Sequence, residues 1–158
     1  MKSRITPCLW FDGRAEEAAK FYVSVFRDAK MGEVTRYGET GPGAKGSVMT
    51  ASFTIEGQDF VGLNGGPNFK FNEAVSFQVQ CETQAEVDHF WDKLAEGGKD
   101  VACGWVKDKF GLSWQIVPTA LPRLLKAGGA QAERVMKAML GMKKLDIAQL
   151  ERAAKAAA

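Results

Sequence analysis

The side chains best suited to chemistry in this chain are neutral amides and hydroxyls that alternate along two predicted strands. Ser76, Gln78 and Gln80 alternate with apolar residues, and so do Ser113 and Gln115. A period of two places such residues on one face of a strand. Amides and hydroxyls beside aromatic rings suit a small ligand held by hydrogen bonds. A second interpretation stays open, in which these groups satisfy one another or water.

Side chains of the usual catalytic kinds are few. His89 is the only histidine, and it falls beside the apolar stripe of its predicted helix, which predicts a surface position. Cys8, Cys81 and Cys103 would need an adjacent base to act as nucleophiles, so we expect small buried apolar side chains there. The glycines of residues 62–67 and of the 38–46 loop do not join a strand to a helix, so they predict turns rather than a phosphate cradle.

The elements that must position these residues fall into two similar halves. The first half predicts a helix at 15–26 and strands at 5–11, 31–37, 47–55 and 60–64; the second predicts a helix at 83–94 and strands at 74–80, 101–106 and 112–117. A shift of 69 positions places Phe21-Tyr22 on Phe90-Trp91. The shared order of elements predicts a duplicated βαβββ module.

The same shift predicts which way the first strand faces. It aligns Cys8 and Trp10 with apolar residues of the second module, which places them toward the helix and leaves Leu9 and Phe11 on the opposite face with the polar side chains. The last strand, in Asp108–Pro118, follows a turn, and residues 103–106 predict its hairpin partner.

Residues 119–158 differ in kind from the modules. They predict three short helices, 121–126, 130–142 and 147–156, with Asp146 as the cap of the third. Helices of this length are marginal alone, so we expect them to dock on the sheet or on a second subunit. The predicted organisation is one domain, residues 1–118, with modules 1–66 and 72–118, followed by a helical extension, 119–158.

Composition narrows the class of protein. The chain has 158 residues and a net charge of +2, which is too small to indicate a nucleic-acid or membrane partner. No apolar run approaches the ~18 residues of a membrane span, and the N-terminus lacks the apolar stretch of a signal peptide. Three cysteines without CxxC spacing favour a reduced, cytoplasmic setting.

Four stretches together resemble one protein family. They are Trp10-Phe-Asp-Gly-Arg-Ala-Glu-Glu-Ala-Ala-Lys-Phe-Tyr22, Cys103-Gly-Trp105, Asp108-Lys-Phe-Gly-Leu-Ser-Trp-Gln-Ile-Val-Pro118 and Met142-Lys-Lys-Leu-Asp-Ile147. The chain resembles the PhnB-like branch of the glyoxalase/bleomycin resistance/dioxygenase (vicinal-oxygen-chelate) superfamily. The resemblance implies an α+β fold in which two βαβββ modules form an open barrel-like cup of mixed, mainly antiparallel sheet. It also implies a homodimer, the commonest closed assembly.

Metal-dependent members of that superfamily hold a divalent ion with His, Gln or Glu on the inner face, but this chain departs from that set. The first-strand positions carry Pro7 and Ala74, the last strand carries the neutral Gln115, and the first module offers Asn64 at best. A firm site needs three or four imidazole, carboxylate or thiolate donors, so we expect no metal and no other cofactor. The predicted cup-lining residues are Leu9, Phe11, Asn64, Ser76, Gln78, Trp105, Ser113 and Gln115.

Three functional hypotheses follow, and they leave open whether any reaction is catalysed. The first is a protein that binds a small molecule in the cup without a metal. The second is a metal-assisted enzyme (lyase, dioxygenase or transferase type) with an unusual site that uses Gln115 and Asn64. The third is a structural dimer whose cup is filled by its own side chains. Relatives often carry the name 3-demethylubiquinone methyltransferase, but the chain lacks the glycine-rich nucleotide-binding turn that common methyltransferases need.

Overall fold

The computed structural model describes residues 4–156. Residue contacts divide the chain into two units, Met1–Phe71 and Asn72–Ala158. Each unit carries one module with the order strand, helix, strand, strand, strand, so the duplicated βαβββ pattern and the α+β class are confirmed.

The first unit is an open four-stranded sheet with one helix. Its elements are β1 (Cys8–Phe11), α1 (Ala15–Val25), β2 (Ala29–Arg36), β3 (Val48–Ile55) and β4 (Gln58–Asn64). The strand order is β1-β4-β3-β2, with β1 parallel to β4 and the other pairs antiparallel. Because β1 lies at an edge, Pro7 next to it removes no ladder hydrogen bond, and its carbonyl accepts from Val61 N–H at 3.0 Å.

The second unit repeats this sheet and adds the three helices of the extension that follows residue 118, called the helical tail below. Its elements are β5 (Ser76–Cys81), α2 (Gln84–Ala95), β6 (Lys99–Asp100), β7 (Trp105–Lys107), β8 (Ser113–Pro118), α3 (Ala120–Lys126), α4 (Gly129–Leu140) and α5 (Ile147–Lys155). The order is β5-β8-β7-β6, with β5 parallel to β8. Thr83 begins α2 with a capping box, since its side chain accepts from Glu86 N–H and the Glu86 carboxylate accepts from Thr83 N–H.

The predicted strand 101–106 is wrong in its first half. Residues 102–104 form a tight turn between β6 and β7, in which Cys103 has φ +59° and Gly104 has φ +82°. Two successive positive φ values are incompatible with extended strand. The apolar residues Val101 and Ala102 led to the prediction of a strand where the chain turns. The predicted pairing of the residues that follow, in β7, with β8 is confirmed.

The predicted faces of β1 are also wrong. Leu9 and Phe11 are 6% and 5% exposed, whereas Cys8 is exposed. A Cβ placed on Gly62, which pairs with Leu9, would lie 3.2 Å from the Cβ of Ala15 in α1. Leu9 and Phe11 therefore face α1 rather than the opposite side of the sheet.

A difference of one residue between the modules explains the error. The helices begin at Ala15 and Gln84, 69 positions apart. The ends of the first strands, however, are 70 positions apart. Phe11 O, at the end of β1, accepts from Gly65 N–H, and the equivalent bond in the second module joins Cys81 O, at the end of β5, to Thr119 N–H. A slip of one residue moves every strand side chain to the other face.

The helical tail docks on the second unit of its own chain. Its core contains Leu121, Val135, Met142, Leu145, Leu150 and Ala154. Two backbone bonds join it to the β6–β7 turn, since Cys103 N–H donates to Met142 O and Gly104 N–H to Lys143 O, both at 2.8 Å. The side chain of Asp146 accepts from Gln149 N–H at 2.7 Å, so the predicted cap of α5 is confirmed.

None of the helices formed by residues 4–156 has the length and apolar character needed to cross a bilayer.

Candidate functional site

Five of the predicted site residues come together on one face of the second sheet. Gln78, Gln115 and Trp105 form one cross-strand row, and Ser76 and Ser113 stand in the next. We call this surface the amide face. The other face of the same strands carries the side chains buried toward α2, which packs against β5, β7 and β8; they are Val79, Val106, Trp114 and Ile116.

Hydrogen bonds link the polar side chains of the amide face into a chain. Gln115 Nε2 donates to Ser76 Oγ at 2.8 Å, and Gln78 Nε2 donates to Gln115 Oε1 at 3.3 Å. Gln78 is exposed and Gln115 is half-buried, whereas Ser113 is only 1% exposed. The row therefore presents an amide and an indole ring together, with Ser113 set below the surface.

The buried carboxylate of Asp108 holds β8 in place beneath this face. Its Oδ1 accepts from Phe110 N–H at 2.8 Å and from Leu112 N–H at 3.1 Å, and its Oδ2 accepts from the indole N–H of Trp114 at 2.9 Å. Asp108 is 3% exposed. The turn that precedes β8 and the ring on its far side are thus tied to one charged group, which fixes the strand that carries Gln115.

The edge of the amide face is charged. Lys107 continues the Ser76–Ser113 row on β7, and Lys99 of β6 pairs with it. Lys107 Nζ forms an ion pair with Glu73, which precedes β5. The hydrogen bond from Lys107 is the largest cause that lowers the pKa of the Glu73 carboxyl, followed by a backbone hydrogen bond and the charge of Lys107; Lys99 adds a smaller effect.

The three predicted site residues of the first unit serve its fold. Leu9 and Phe11 pack toward α1, as described above. Asn64 Oδ1 accepts from Ala15 N–H at 2.9 Å, and its Nδ2 donates to Val48 O at 3.1 Å. Its amide therefore caps α1 from a distant strand and ties β4 to β3, which commits the donor and acceptor that a ligand would need.

A cavity of about 340 Å³ adjoins this cap, and Asp12, Tyr37, Ser47 and Asn64 are among its lining residues. The Tyr37 hydroxyl donates to Asn64 O at 2.6 Å. A Cβ on Gly43 would lie 2.2 Å from the Tyr37 ring, so the glycine-rich loop must pack directly on that ring. The Tyr37 hydroxyl and the Asn64 amide bond to backbone groups of the strands and of α1, and we assign this cavity no ligand.

The titratable residues singled out in the sequence differ in their exposure to solvent. His89 is exposed on α2, as predicted. Cys81 is fully buried, and burial, followed by the charge of Glu86, raises the pKa of its thiol to about 11. Cys8 is exposed and Cys103 half-buried, so the expectation of buried cysteines is wrong for Cys8.

The donor set does not fit a divalent metal ion. Within residues 4–156, no three His, Cys, Asp or Glu side chains stand close enough to share one. On the amide face the donors are the neutral Gln78 and Gln115, with the ion-paired Glu73 at its edge. Two amides and one engaged carboxylate fall short of the ionised or imidazole donors that hold such an ion firmly.

One feature in each unit was not predicted from the sequence. Trp10 lies on the face of β1 away from α1, where its indole N–H donates to Gly66 O at 2.8 Å and its ring meets that of Phe69 at 4.9 Å. Lys107 shares a strand face with Trp105. The alternation of Trp105 and Lys107 could have revealed the second feature, but nothing in the sequence signals that Glu73 reaches it across 34 residues.

Comparisons with known proteins agree with this architecture. The model of a family described as 3-demethylubiquinone-9 3-methyltransferase matches residues 3–117. A solved structure from Bacillus cereus, a putative 3-demethylubiquinone-9 3-methyltransferase called PhnB protein, is 39% identical, with a TM-score of 0.68 over 74% of this chain and 100% of that one. No curated protein matches the chain in sequence.

More distant structures share the fold alone. Protein PA1353 from Pseudomonas aeruginosa is 20% identical, with a TM-score of 0.62 over 73% of this chain and 97% of that one. The fosfomycin resistance protein FosX from Mesorhizobium loti is 11% identical, with a TM-score of 0.51 over 74% of this chain and 91% of that one. The family match and the two modules lead to one conclusion: the chain belongs to the PhnB-like family described as 3-demethylubiquinone-9 3-methyltransferase.

Proposed function

We propose that this protein binds a small molecule on the amide face and does so without a firmly held metal ion. The observation that supports the proposal is the chain of hydrogen bonds Gln78–Gln115–Ser76 beside Trp105. These neutral groups can each exchange a bond to one another for a bond to a ligand, since an amide carries both donors and an acceptor.

The arrangement suits a ligand with one planar apolar part and a few polar atoms. Trp105 offers a ring for stacking or edge contact. Gln78 and Gln115 offer two NH₂ groups and two carbonyl oxygens in the same row. Val117, two positions beyond Gln115 on β8, packs against the core of the helical tail, so apolar side chains bound the face at that end.

The alternative of a metal-assisted enzyme gains no support from the donor set, and we derive no reaction step through an ion. Methyl transfer gains none either: Gly65 and Gly66 follow β4 but lead into residues 67–75, which form neither helix nor strand, so they do not make the turn between strand and helix that binds a nucleotide. The family description alone therefore does not assign methyl transfer to this chain.

A thermal-shift screen of small aromatic compounds tests the proposal. A ligand at about 100 times its Kd adds about 2.7 kcal/mol of stability, which raises Tm by roughly 5–10 °C for a chain of this size. We expect Gln115→Leu and Trp105→Ala to abolish that rise. Gln149→Leu, on the exposed surface of α5, is the matched control and should leave it unchanged.

Two outcomes would contradict the proposal. One is a screen in which no compound gives a saturable rise in Tm. The other is a ligand whose effect is the same in wild type, Gln115→Leu and Trp105→Ala, because such a ligand binds elsewhere.

Self-association remains a separate proposal. The tail docks on its own unit, so its need for a surface no longer argues for a second subunit. Superfamily resemblance still favours a homodimer, and α4 leaves Met136 and Leu140 40% and 62% exposed. Light scattering should report twice the 17.2 kDa mass of the chain; a single species at the chain mass would refute the dimer.

A further inference from the structure

Two lysines stand directly opposite each other at the edge of the amide face. Lys99 and Lys107 are Cα partners in the β6–β7 pair. Like charges in such positions repel each other and destabilise the sheet. An anion placed between the two ammonium groups removes that cost, so this edge favours negative charge.

A carboxylate of the chain itself supplies the anion. Glu73 pairs with Lys107, and both lysines help to lower the pKa of its carboxyl. The Glu73 side chain is 60% exposed, whereas that of Lys107 is 29% exposed. The acid thus reaches in from solvent on a segment outside the sheet, while the lysine is fixed on a strand.

We propose that Lys107, with Lys99, forms the anion subsite of the amide face, and that Glu73 occupies this subsite until a ligand carboxylate displaces it. The inference rests on the proposed function and deepens it by naming the ligand class, planar molecules that carry a carboxylate. When a ligand carboxylate displaces that of Glu73, Lys107 loses one ion pair and forms another of the same type.

The spacing of the strand fits such a ligand. Trp105 and Lys107 are two residues apart on β7 and share a face, which puts their Cα atoms ~6.8 Å apart. A fused bicyclic ring with a carboxylate at one end covers that span. Its ring would lie on Trp105, its edge beside Gln115 and its carboxylate at Lys107.

An NMR titration of ¹⁵N-labelled protein tests this with 2-naphthoate and its neutral analogue 2-naphthamide. We expect naphthoate to shift the indole signal of Trp105 and the side-chain amide signals of Gln78 and Gln115, with a lower Kd than naphthamide. Lys107→Met should remove this preference. Glu73→Gln should lower the Kd for naphthoate by about two- to fivefold, the size of one exposed charge pair.

Matched controls separate the subsite from the general charge of the protein. Glu96→Gln removes one negative charge at the end of α2, and Lys93→Met removes one positive charge on the same helix; both should leave the Kd for naphthoate unchanged. A higher or unchanged Kd for naphthoate in Glu73→Gln would mean that Glu73 does not compete with the ligand carboxylate for Lys107.

The outcomes distinguish this inference from the proposed function. If both probes shift the same signals equally and the Lys107 and Glu73 variants have no effect, the amide face binds ligands but the anion subsite is refuted. If neither probe shifts these signals in any variant, the inference and the proposed function are both refuted for planar ligands of this size.

Discussion

Removal of the Asp108 carboxylate should be among the most damaging single changes in the second unit. Asp108 is 3% exposed, and its two oxygens accept from Phe110 N–H, Leu112 N–H and the indole of Trp114 at 2.8, 3.1 and 2.9 Å. Hydrogen bonds to a charged group contribute about 1.5–3 kcal/mol each, and a buried donor left unpaired costs about 1–3 kcal/mol. These contributions do not add fully, since water can enter at the turn.

We therefore expect Asp108→Ala to lower the free energy of unfolding by about 3–5 kcal/mol. Asp108→Asn keeps one acceptor oxygen but turns an N–H₂ group toward either the turn or the indole, so it should cost about 2–3 kcal/mol. Trp114→Phe removes one of the three donors and should cost less than Asp108→Ala. The exposed Asp100 is the control, and Asp100→Ala should change stability by about 0.5 kcal/mol or less.

Urea unfolding followed by circular dichroism and tryptophan fluorescence measures these differences. A double-mutant cycle of Asp108→Asn and Trp114→Phe should give a coupling energy of at least about 0.5 kcal/mol, because the two side chains share a hydrogen bond. An Asp108→Ala variant that loses no more stability than Asp100→Ala would contradict this expectation, since three donors would then lose their acceptor without effect.

Three further predictions concern the second unit. Gln84→Ala should cost about 1–2 kcal/mol and speed proteolysis beyond residue 142, because the Gln84 amide donates to Leu145 O at 3.1 Å and accepts from Ile147 N–H at 2.9 Å; equal digestion rates would contradict it. Burial raises the pKa of the Cys81 thiol in the folded protein, so the same thiol ionises at a lower pH in the unfolded chain. Its titration should lower wild-type stability by at most about 2–3 kcal/mol as pH rises from 9 to 11, and calorimetry of Cys81→Ala should show a fall in stability that is smaller by that amount. Cys103→Val should cost about 1–2 kcal/mol in urea unfolding because φ is +59° there, whereas Cys103→Gly should be tolerated; equal effects would contradict the backbone argument.

The amides Asn64 and Gln115 show why the sequence pattern of a strand does not reveal which polar side chains can bind a ligand. Asn64 and Gln115 are chemically alike and both end up on strands of their modules. The Asn64 amide forms hydrogen bonds with two backbone groups, Ala15 N–H and Val48 O. The Gln115 amide bonds the side chain of Ser76, and a ligand can replace that hydrogen bond. What separates structural from available amides is the set of backbone groups that the fold brings to them.

Sequence by itself determined the two βαβββ modules, the cap at Asp146 and the alternation that puts Ser76, Gln78 and Gln115 on one face, because periodicity and capping are local. The family followed from the resemblance of four stretches to its motifs. Sequence could not orient β1, since Cys8, Leu9, Trp10 and Phe11 are all apolar and either alternate pair could be buried. Tertiary structure alone decided that orientation, through the one-residue difference between strand and helix offsets. It also decided that Glu73 meets Lys107 and that the tail folds back on its own unit, because contacts between distant residues depend on how the elements pack and not on the pattern within each one.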